Sequence, residues 1–385
     1  MGEPLKTFFS RSLIRRLAAD IEGVHPEFPA RAFIQTACQG LEALELLDRG
    51  RHIASALAKH LPRSYPDAID VVLRSLGREH ESDELIGAGM APFFYLPHTI
   101  FVALHGLEHF ELSIRAQYEL TKRFSAESSI RPFIARYPER TFEQLRAWTR
   151  DEDAHVRRLV SEGTRLRLPW APRVSWLDQN PERVLGLLEL LKDDPAPLVR
   201  RSVANNLNDL GKVHPALLIR TCAAWLRGAS AERRELIEHA LRSAVKRGSP
   251  KALRLLGFGE AASVALEHVR IAPRRVPIGG RVSIAFALRS RSRAPQDLLV
   301  DLAVHFVKAT GRTSRKVFKL KRIHLSARGR IELSTDVSLA VHTTRKPQPG
   351  RHAVDVIVNG ATLALGEFDV VGARRRQSPA PRPAL

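Results

Sequence analysis

The sequence predicts a mainly α protein: a helical-repeat solenoid followed by a C-terminal all-β, immunoglobulin-like sandwich. Three observations predict it. Apolar residues recur at helical spacing through residues 1–258. Within that stretch Leu145–Val160 aligns with Leu188–Val203, 43 residues further on. Near residue 262 the apolar period falls from 3.6 to 2 and stays there to about 371.

Candidate helices cover roughly 10–22, 29–48, 51–61, 66–77, 96–124, 128–136, 139–150, 153–164, 181–192, 196–211, 214–227 and 231–247, separated by turns holding Pro, Gly or Asp. The two aligned segments each place Asp in a turn and Val-Arg-Arg in the following helix. A weaker echo sets Val203–Leu207 against Ile237–Leu241. Helix pairs repeating at about 40 residues mark HEAT-type arrays, which leave a concave surface lined by the second helices. Arg157-Arg158 and Arg200-Arg201 then recur in register, as a repeated phosphate backbone would require. Pairing of one arginine of each pair with the acidic turns is the competing reading.

The helix at 196–211 is the centre of this half. It opens after Asp193-Asp194 among prolines and is expected to stop at Gly211. Val199, Val203, Leu207 and Leu210 make one apolar face. Arg201, Asn205, Asn208, Asp209 and Lys212 share the other side, flanked by Arg200 and Asn206. Asn and Asp weaken a helix interior, because their side chains compete for backbone hydrogen bonds. That side is either a solvated face or a surface for a polyanion, with arginines for phosphates, amides for polar contacts and one carboxylate for chemistry.

From 263 to 371 seven short strands are expected, at 263–272, 282–288, 298–306, 317–325, 331–339, 353–358 and 362–370, with Asn359-Gly360 as a hairpin turn. That count suits an immunoglobulin-like sandwich at 262–371. Residues 372–385 read as a disordered, basic, proline-rich tail.

The chain carries a formal charge of +20 over 385 residues. Residues 259–385 hold 23 Lys and Arg against 9 Asp and Glu, an excess of +14. A polyanionic partner is expected, with the C-terminal third as its electrostatic anchor. Cys38 and Cys222 are the two cysteines, without metal-ligand spacing, which argues against a disulfide scaffold or a zinc finger and suits a reducing cytoplasm. No signal segment, myristoylation motif or membrane-spanning run is read.

Three stretches hold candidate chemistry. His105-Gly-Leu-Glu-His109 matches the inverted zincin pattern, and on one helix His105 and His109 would share a face. No third ligand is identified, so packing histidines are the favoured reading and no metal is expected. Glu127 follows Ser125, which reads as an N-cap, making Glu127 a first-turn carboxylate. Trp170 lies in a proline-bounded loop after Arg165 and Arg167, as a packing anchor or a stacking platform.

At Thr121–Glu127, Ser161–Trp170 and Val199–Asp209 the chain resembles the AlkC branch of the HEAT-like AlkC/AlkD DNA glycosylases, and the opening Glu3-Pro-Leu-Lys6 with Phe8-Phe9 is similar too. The resemblance covers essentially all of residues 1–258, and some members carry a C-terminal immunoglobulin-like domain. It implies a monofunctional glycosylase that starts base excision repair of alkylated double-stranded DNA, removing 3-methyladenine and 3-methylcytosine without flipping the base into a deep pocket. It also implies that Glu127, Asp209 and Trp170 form the active site. Arg158, Arg165, Arg200 and Arg201 are then expected to hold phosphates, with Asn205 and Asn208 in polar contact. No cofactor, no membrane, a monomer and a cytoplasmic location are expected. Within the three motifs Lys122 is the sole lysine, so a Schiff-base lyase is not expected. The alternatives are a non-catalytic HEAT-repeat nucleic-acid scaffold and a zinc hydrolase built on His105 and His109.

Overall fold

The computed structural model describes residues 5–79, 89–258, 262–341 and 346–372. The opening Glu3-Pro4 and the tail from 373 lie outside the described residues. The chain divides into two compact units, Met1–Leu241 and Arg242–Leu385.

The first unit is a succession of helices: α1 (Arg11–Val24), α2 (Ala30–Cys38), α3 (Leu46–His60), α4 (Tyr65–Arg74), α5 (Leu96–His105), α6 (Phe110–Thr121), α7 (Arg131–Arg136), α8 (Pro138–Trp148), α9 (Ala154–Gly163), α10 (Ser175–Gln179), α11 (Pro181–Leu191), α12 (Pro197–Val213) and α13 (Pro215–Leu226). Next, α14 (Ala231–Lys246) runs on past Leu241, and α15 (Pro250–Leu255) follows it in the second unit. Local chemistry starts these helices where the sequence suggested. Ser10 caps α1 by accepting the Leu13 amide, and Asp153 caps α9 by accepting the His155 and Val156 amides. Proline stands at the first turn of α8, α11, α12 and α13. The two aligned sequence segments are the pairs α8–α9 and α11–α12, and α9 packs on α12.

The expected apolar face of α12 is fully buried at Val199, Val203, Leu207 and Leu210. Its other side is mixed: Arg201 and Lys212 are exposed and Asn205 is half-buried, but part of it has left water. Ser202, Asn206, Asn208 and Asp209 are buried as well. Asn206 Nδ2 donates to the Ser161 carbonyl at 2.8 Å and to Thr164 Oγ1 at 3.0 Å, tying α12 to the end of α9.

Four expectations are corrected. The helix at 196–211 continues to Val213, and His214-Pro215 sets the break before α13. Gly211 serves packing instead, because a Cβ there would stand 2.2 Å from Leu218 Cδ2 of α13. The single helix at 29–48 is α2, a 3₁₀ turn at Leu41–Ala43 and the start of α3. The single helix at 96–124 is α5 and α6, with His105 ending one and His109 standing just before the next without a side-chain cap bond. A polar knot holds that corner: Ser113 Oγ donates to the Gly106 carbonyl and shares a 2.7 Å bond with the Tyr65 hydroxyl. The two histidines therefore do not share a helix face; His109 stacks on Tyr65 and His105 leans on Phe101. Finally, the helix expected from 128 begins at Arg131, so Ser125 caps no helix and Glu127 lies in the preceding turn.

The second unit is a sandwich of β1 (Val264–Ala272), β2 (Arg275–Pro277), β3 (Arg281–Ser290), β4 (Gln296–Val307), β5 (Thr313–Leu325), β6 (Arg330–Ser338), β7 (Gly350–Val358) and β8 (Ala361–Val371). One sheet has the order β1-β3-β6 and the other β2-β8-β7-β4-β5. All pairings are antiparallel except β2–β8. The period-2 pattern buries Ile284, Phe286 and Leu288 of β3 with Val300, Leu302 and Val304 of β4 and Val354, Val356 and Val358 of β7. Asn359 and Gly360 both have positive φ, as a type I′ hairpin turn between β7 and β8 demands. The short β2, α10 and α15 carry too few residues for a period, and the sequence reading missed them. β5 lies at a sheet edge and exposes Arg315, Lys316, Lys319, Lys321 and Arg322, charges that oppose edge-to-edge pairing. Among the described residues no helix is long and apolar enough to cross a membrane.

Buried His98 of α5 makes folding pH-dependent. It lies among Phe94 and Tyr95, its Nδ1 lacks a partner among the described residues, and burial pulls its pKa from 6.5 to about 4. Above pH 6.5 the folded and unfolded chains both hold a neutral imidazole. Between 6.5 and 4 the unfolded chain takes up a proton that the fold refuses, so stability falls as pH falls, by up to roughly 3 kcal/mol. Denaturant midpoints measured from pH 7 to 4 should drop less steeply in His98→Phe than in the wild type; parallel slopes would contradict this assignment.

Candidate active site

Four pieces of the first unit bring the candidate residues together. The turn before α7 supplies Glu127, α9 supplies Arg158 and Glu162, the loop 164–174 supplies Arg165 and Trp170, and α12 supplies Asp209 and Lys212. Their charges form one continuous chain. Ser125 Oγ donates to Glu127 Oε2 at 2.9 Å, and Arg158 Nη2 donates to the same oxygen at 3.2 Å. Arg158 lies 4.0 Å from Glu162 Oε1, and Arg165 Nη1 donates to Glu162 Oε2 at 3.0 Å. Arg165 then grips Asp209 Oδ2 with Nε at 2.8 Å and Nη2 at 2.7 Å, while Lys212 Nζ reaches Oδ1 at 2.7 Å.

The alternation of sign explains how carboxylates survive here. Asp209 is 1% exposed and Glu162 4%, and a buried carboxylate requires cations and hydrogen bonds at its oxygens. Burial works against the Arg165 charge, but Glu162 and Asp209 outweigh it and raise its pKa. Glu127 is the accessible member. It is partly exposed, and among the described residues its Oε1 accepts no hydrogen bond.

Trp170 is the opposite of a packing anchor. Its side chain is 65% exposed and its backbone has φ +62°, a left-handed conformation that a bulky residue rarely adopts. It borders a cavity of about 510 Å³, shared with Glu127 and Arg158 and otherwise largely apolar, with Phe93, Ile100 and Phe124 in its wall.

The remaining candidates lie apart from this chain. Arg200 donates to the carbonyls of Asp194 and Pro195 in its own turn, at 2.6 and 2.8 Å. Arg201 bonds His239 Nδ1, whose Nε2 bonds Asn205 Oδ1, so these three form a separate cluster. Asn208 is buried. The competing reading of the arginine pairs holds for Arg157, which is bonded to Asp194 at 2.7 and 3.0 Å. Sequence reasoning passed over Glu162, and it placed Lys212 on the polar side of α12 without making it a site residue. The signal was present, since Glu162 stands four residues after Arg158 and three before Arg165, and Lys212 three after Asp209, all helix-neighbour spacings. Among the described residues no group of three or more His, Cys, Asp or Glu is placed to hold a metal ion.

The helical-repeat fold matches proteins of the DNA-repair class. Residues 124–247 match the family described as DNA alkylation repair enzyme, and residues 265–372 match the C-terminal Ig-like domain of uncharacterised protein YhaZ. Uncharacterized protein YhaZ of Bacillus subtilis is 33% identical over 367 residues, covering 95% of this chain and 99% of that one. The solved structure of Pseudomonas fluorescens alkylpurine DNA glycosylase AlkC, bound to DNA containing an abasic site analog, has a TM-score of 0.88 and 35% identity, covering 96% of this chain and all of that one. The chain belongs to the AlkC branch of the HEAT-like DNA alkylation-repair glycosylase family.

Glu162→Gln should leave Arg158 and Arg165 short of a carboxylate in a partly dry site. A loss of about 2 kcal/mol of unfolding free energy is expected in urea titrations. An unchanged midpoint would mean that Glu162 does not hold the chain of charges together.

Proposed function

We propose that this protein is a monomeric DNA glycosylase that excises cationic N3-alkylated bases, 3-methyladenine and also 3-methylcytosine, from duplex DNA and so opens base excision repair. The observation that carries the reading is the pairing of an accessible carboxylate, Glu127, with a buried one, Asp209, through one chain of arginines beside the exposed Trp170. Family membership and the DNA-bound AlkC structure support it.

The chemistry suits these groups. An N3-alkylated base is already positive, so the C1′–N bond breaks heterolytically and its electron pair neutralises the departing base without a general acid. The difficulty is the oxocarbenium-like sugar left behind. Asp209, fixed by Arg165 and Lys212, offers negative charge to that cation with little reorganisation. Glu127, with an open oxygen, takes the proton of the attacking water as its oxygen bonds to C1′. Trp170 presents its π-face at the surface, where it meets a cationic base or sugar without a deep pocket. Arg158 holds a phosphate at the margin of the same group, and Arg201 and Asn205 of α12 extend the DNA contact beyond it; Arg165 and Arg200 are spent inside the protein and Asn208 is buried.

Release of 3-methyladenine from methylated duplex DNA tests the reading. Wild type should release it, and Asp209→Asn should lose roughly 100-fold or more in single-turnover rate while binding undamaged DNA normally. No release by wild type would reject the glycosylase; undiminished release by Asp209→Asn would remove Asp209 from the chemistry.

The basic β5 edge is proposed to add grip on DNA. Reversing Arg315, Lys319 and Lys321 to Glu should weaken binding and flatten the plot of log affinity against log salt by up to about 0.9 for each lost phosphate contact. An unaltered slope would exclude β5 from the interface.

A further inference from the structure

Among the described residues Arg131 is the largest fully buried side chain, at 1% exposure, and it forms no salt bridge with any of them. Its guanidinium is spent on backbone carbonyls, and all of them belong to one short segment. Nε and Nη2 donate to the Pro172 carbonyl at 3.1 and 3.0 Å. Nη1 donates to the Gly163 carbonyl at 3.0 Å and to the Arg165 carbonyl at 2.9 Å.

That segment, from the end of α9 to Pro172, carries Arg165 and Trp170. It forms no helix or strand; Leu166 and Leu168 are buried, and Trp170 is held in a strained conformation at the exposed tip. Such strain persists only where the surroundings over-determine it. The Arg131 fork supplies that constraint, because its planar donors reach both ends of the loop at once. The cost is a buried cation: burial pulls its pKa down to about 10, with Asp178 and Glu127 supporting the charge and Arg165 and Arg167 opposing it. An apolar side chain in this position would leave the Gly163, Arg165 and Pro172 carbonyls without these donors. A cation retained there, with its donors directed at a single loop, points to that loop's geometry.

We propose that Arg131 is a positioning residue for excision: it clamps the 163–172 loop, sets Trp170 at the mouth of the cavity and aims Arg165 at Asp209. It is not a catalytic residue, since it is buried and touches the backbone alone. The proposal rests on the functional reading above for its kinetic part only.

The test pairs a kinetic readout with a structural one. Arg131→Lys keeps the charge and loses the fork. Its single-turnover rate of base release should fall roughly 100-fold, as expected for a misplaced site group, with binding to undamaged duplex within about twofold of wild type. In a Trp170→Ala background the same substitution should cost less, because one of the two groups it positions is already gone and only the aim of Arg165 is left to lose. Equal losses in the two backgrounds would overturn the clamp and leave a general structural role. The second readout uses fluorotryptophan-labelled protein, which gives one ¹⁹F signal for each of Trp148, Trp170, Trp176 and Trp225. Arg131→Lys should shift or broaden the Trp170 signal and leave those of buried Trp148 and Trp225 in place. An unmoved Trp170 signal would overturn the proposal even if the protein proved to excise nothing. Should Arg131→Lys fail to fold, Pro169→Gly combined with Pro172→Gly frees the same exposed loop from outside the core. It should reproduce both the slow release and the Trp170 shift, and wild-type behaviour in that variant would overturn the clamp.

Discussion

Asp209 is a carboxylate in the packed wall between two helices, and that position constrains everything around it. With 1% of its surface in water, it persists only because Arg165 occupies one oxygen and Lys212 the other. Arg165 is itself half-withdrawn from solvent and takes Glu162 as a second partner; Glu162 draws in Arg158, and Arg158 reaches Glu127. Removing water from one carboxylate thus propagates a sequence of compensating charges across α9, the following loop and α12. The result is an array whose dipoles are already oriented before any substrate arrives, which is the condition under which electrostatic stabilisation is strongest.

Rigid helices position half of this array and irregular chain the other half. α9 and α12 are locked together by apolar packing at Leu159, Val160, Val203 and Leu207 and by the Asn206 amide, which bridges to Ser161 and Thr164. The loop carrying Trp170 is anchored by buried Leu166 and Leu168 and bonded through its carbonyls to Arg131. The N-terminal segment uses the same device. Buried Arg49 of α3 donates to the carbonyls of Lys6, Phe9, Glu42 and Leu44, gathering two stretches of 3₁₀ turn and irregular chain around one guanidinium. Irregular backbone leaves carbonyls unpaired, and a planar five-donor side chain can satisfy several of them at once where a lysine would serve fewer.

The charge excess is divided between two uses. In the first unit many arginines are committed internally, Arg157 to Asp194, Arg200 to its own turn and Arg165 to Asp209 and Glu162. In the sandwich the cations of β5 stand on an exposed edge, available to a polyanion and hostile to a second strand. A formal charge counts both kinds alike, which is why the sequence read Arg200 and Arg158 as equivalent phosphate ligands although only Arg158 joins the site.

Periodicity made the elements legible. A face such as Val199, Val203, Leu207 and Leu210 buries the same residues in any helix that packs, and alternation in β3, β4 and β7 leaves one sheet face dry for the same reason. The concentration of Asn and Asp on α12 marked a helix that propensity alone would not favour, and so marked a place of special use. Breaks were less legible. Nothing local distinguishes a helix through Gly106 from two helices turned by the Tyr65–Ser113 knot, because Tyr65 is 48 residues away from Ser113. The burial of Asn206 and Asp209, the constraint on Trp170 and the role of Arg131 were likewise invisible. The sequence by itself determined which residues are apolar, charged or conformationally permissive, since those are properties of single residues and their near neighbours. Which charges lost their water, and which partners replaced it, was decided only when α9, the 164–174 loop and α12 came together, because desolvation depends on what lies across the contact and not on what lies along the chain.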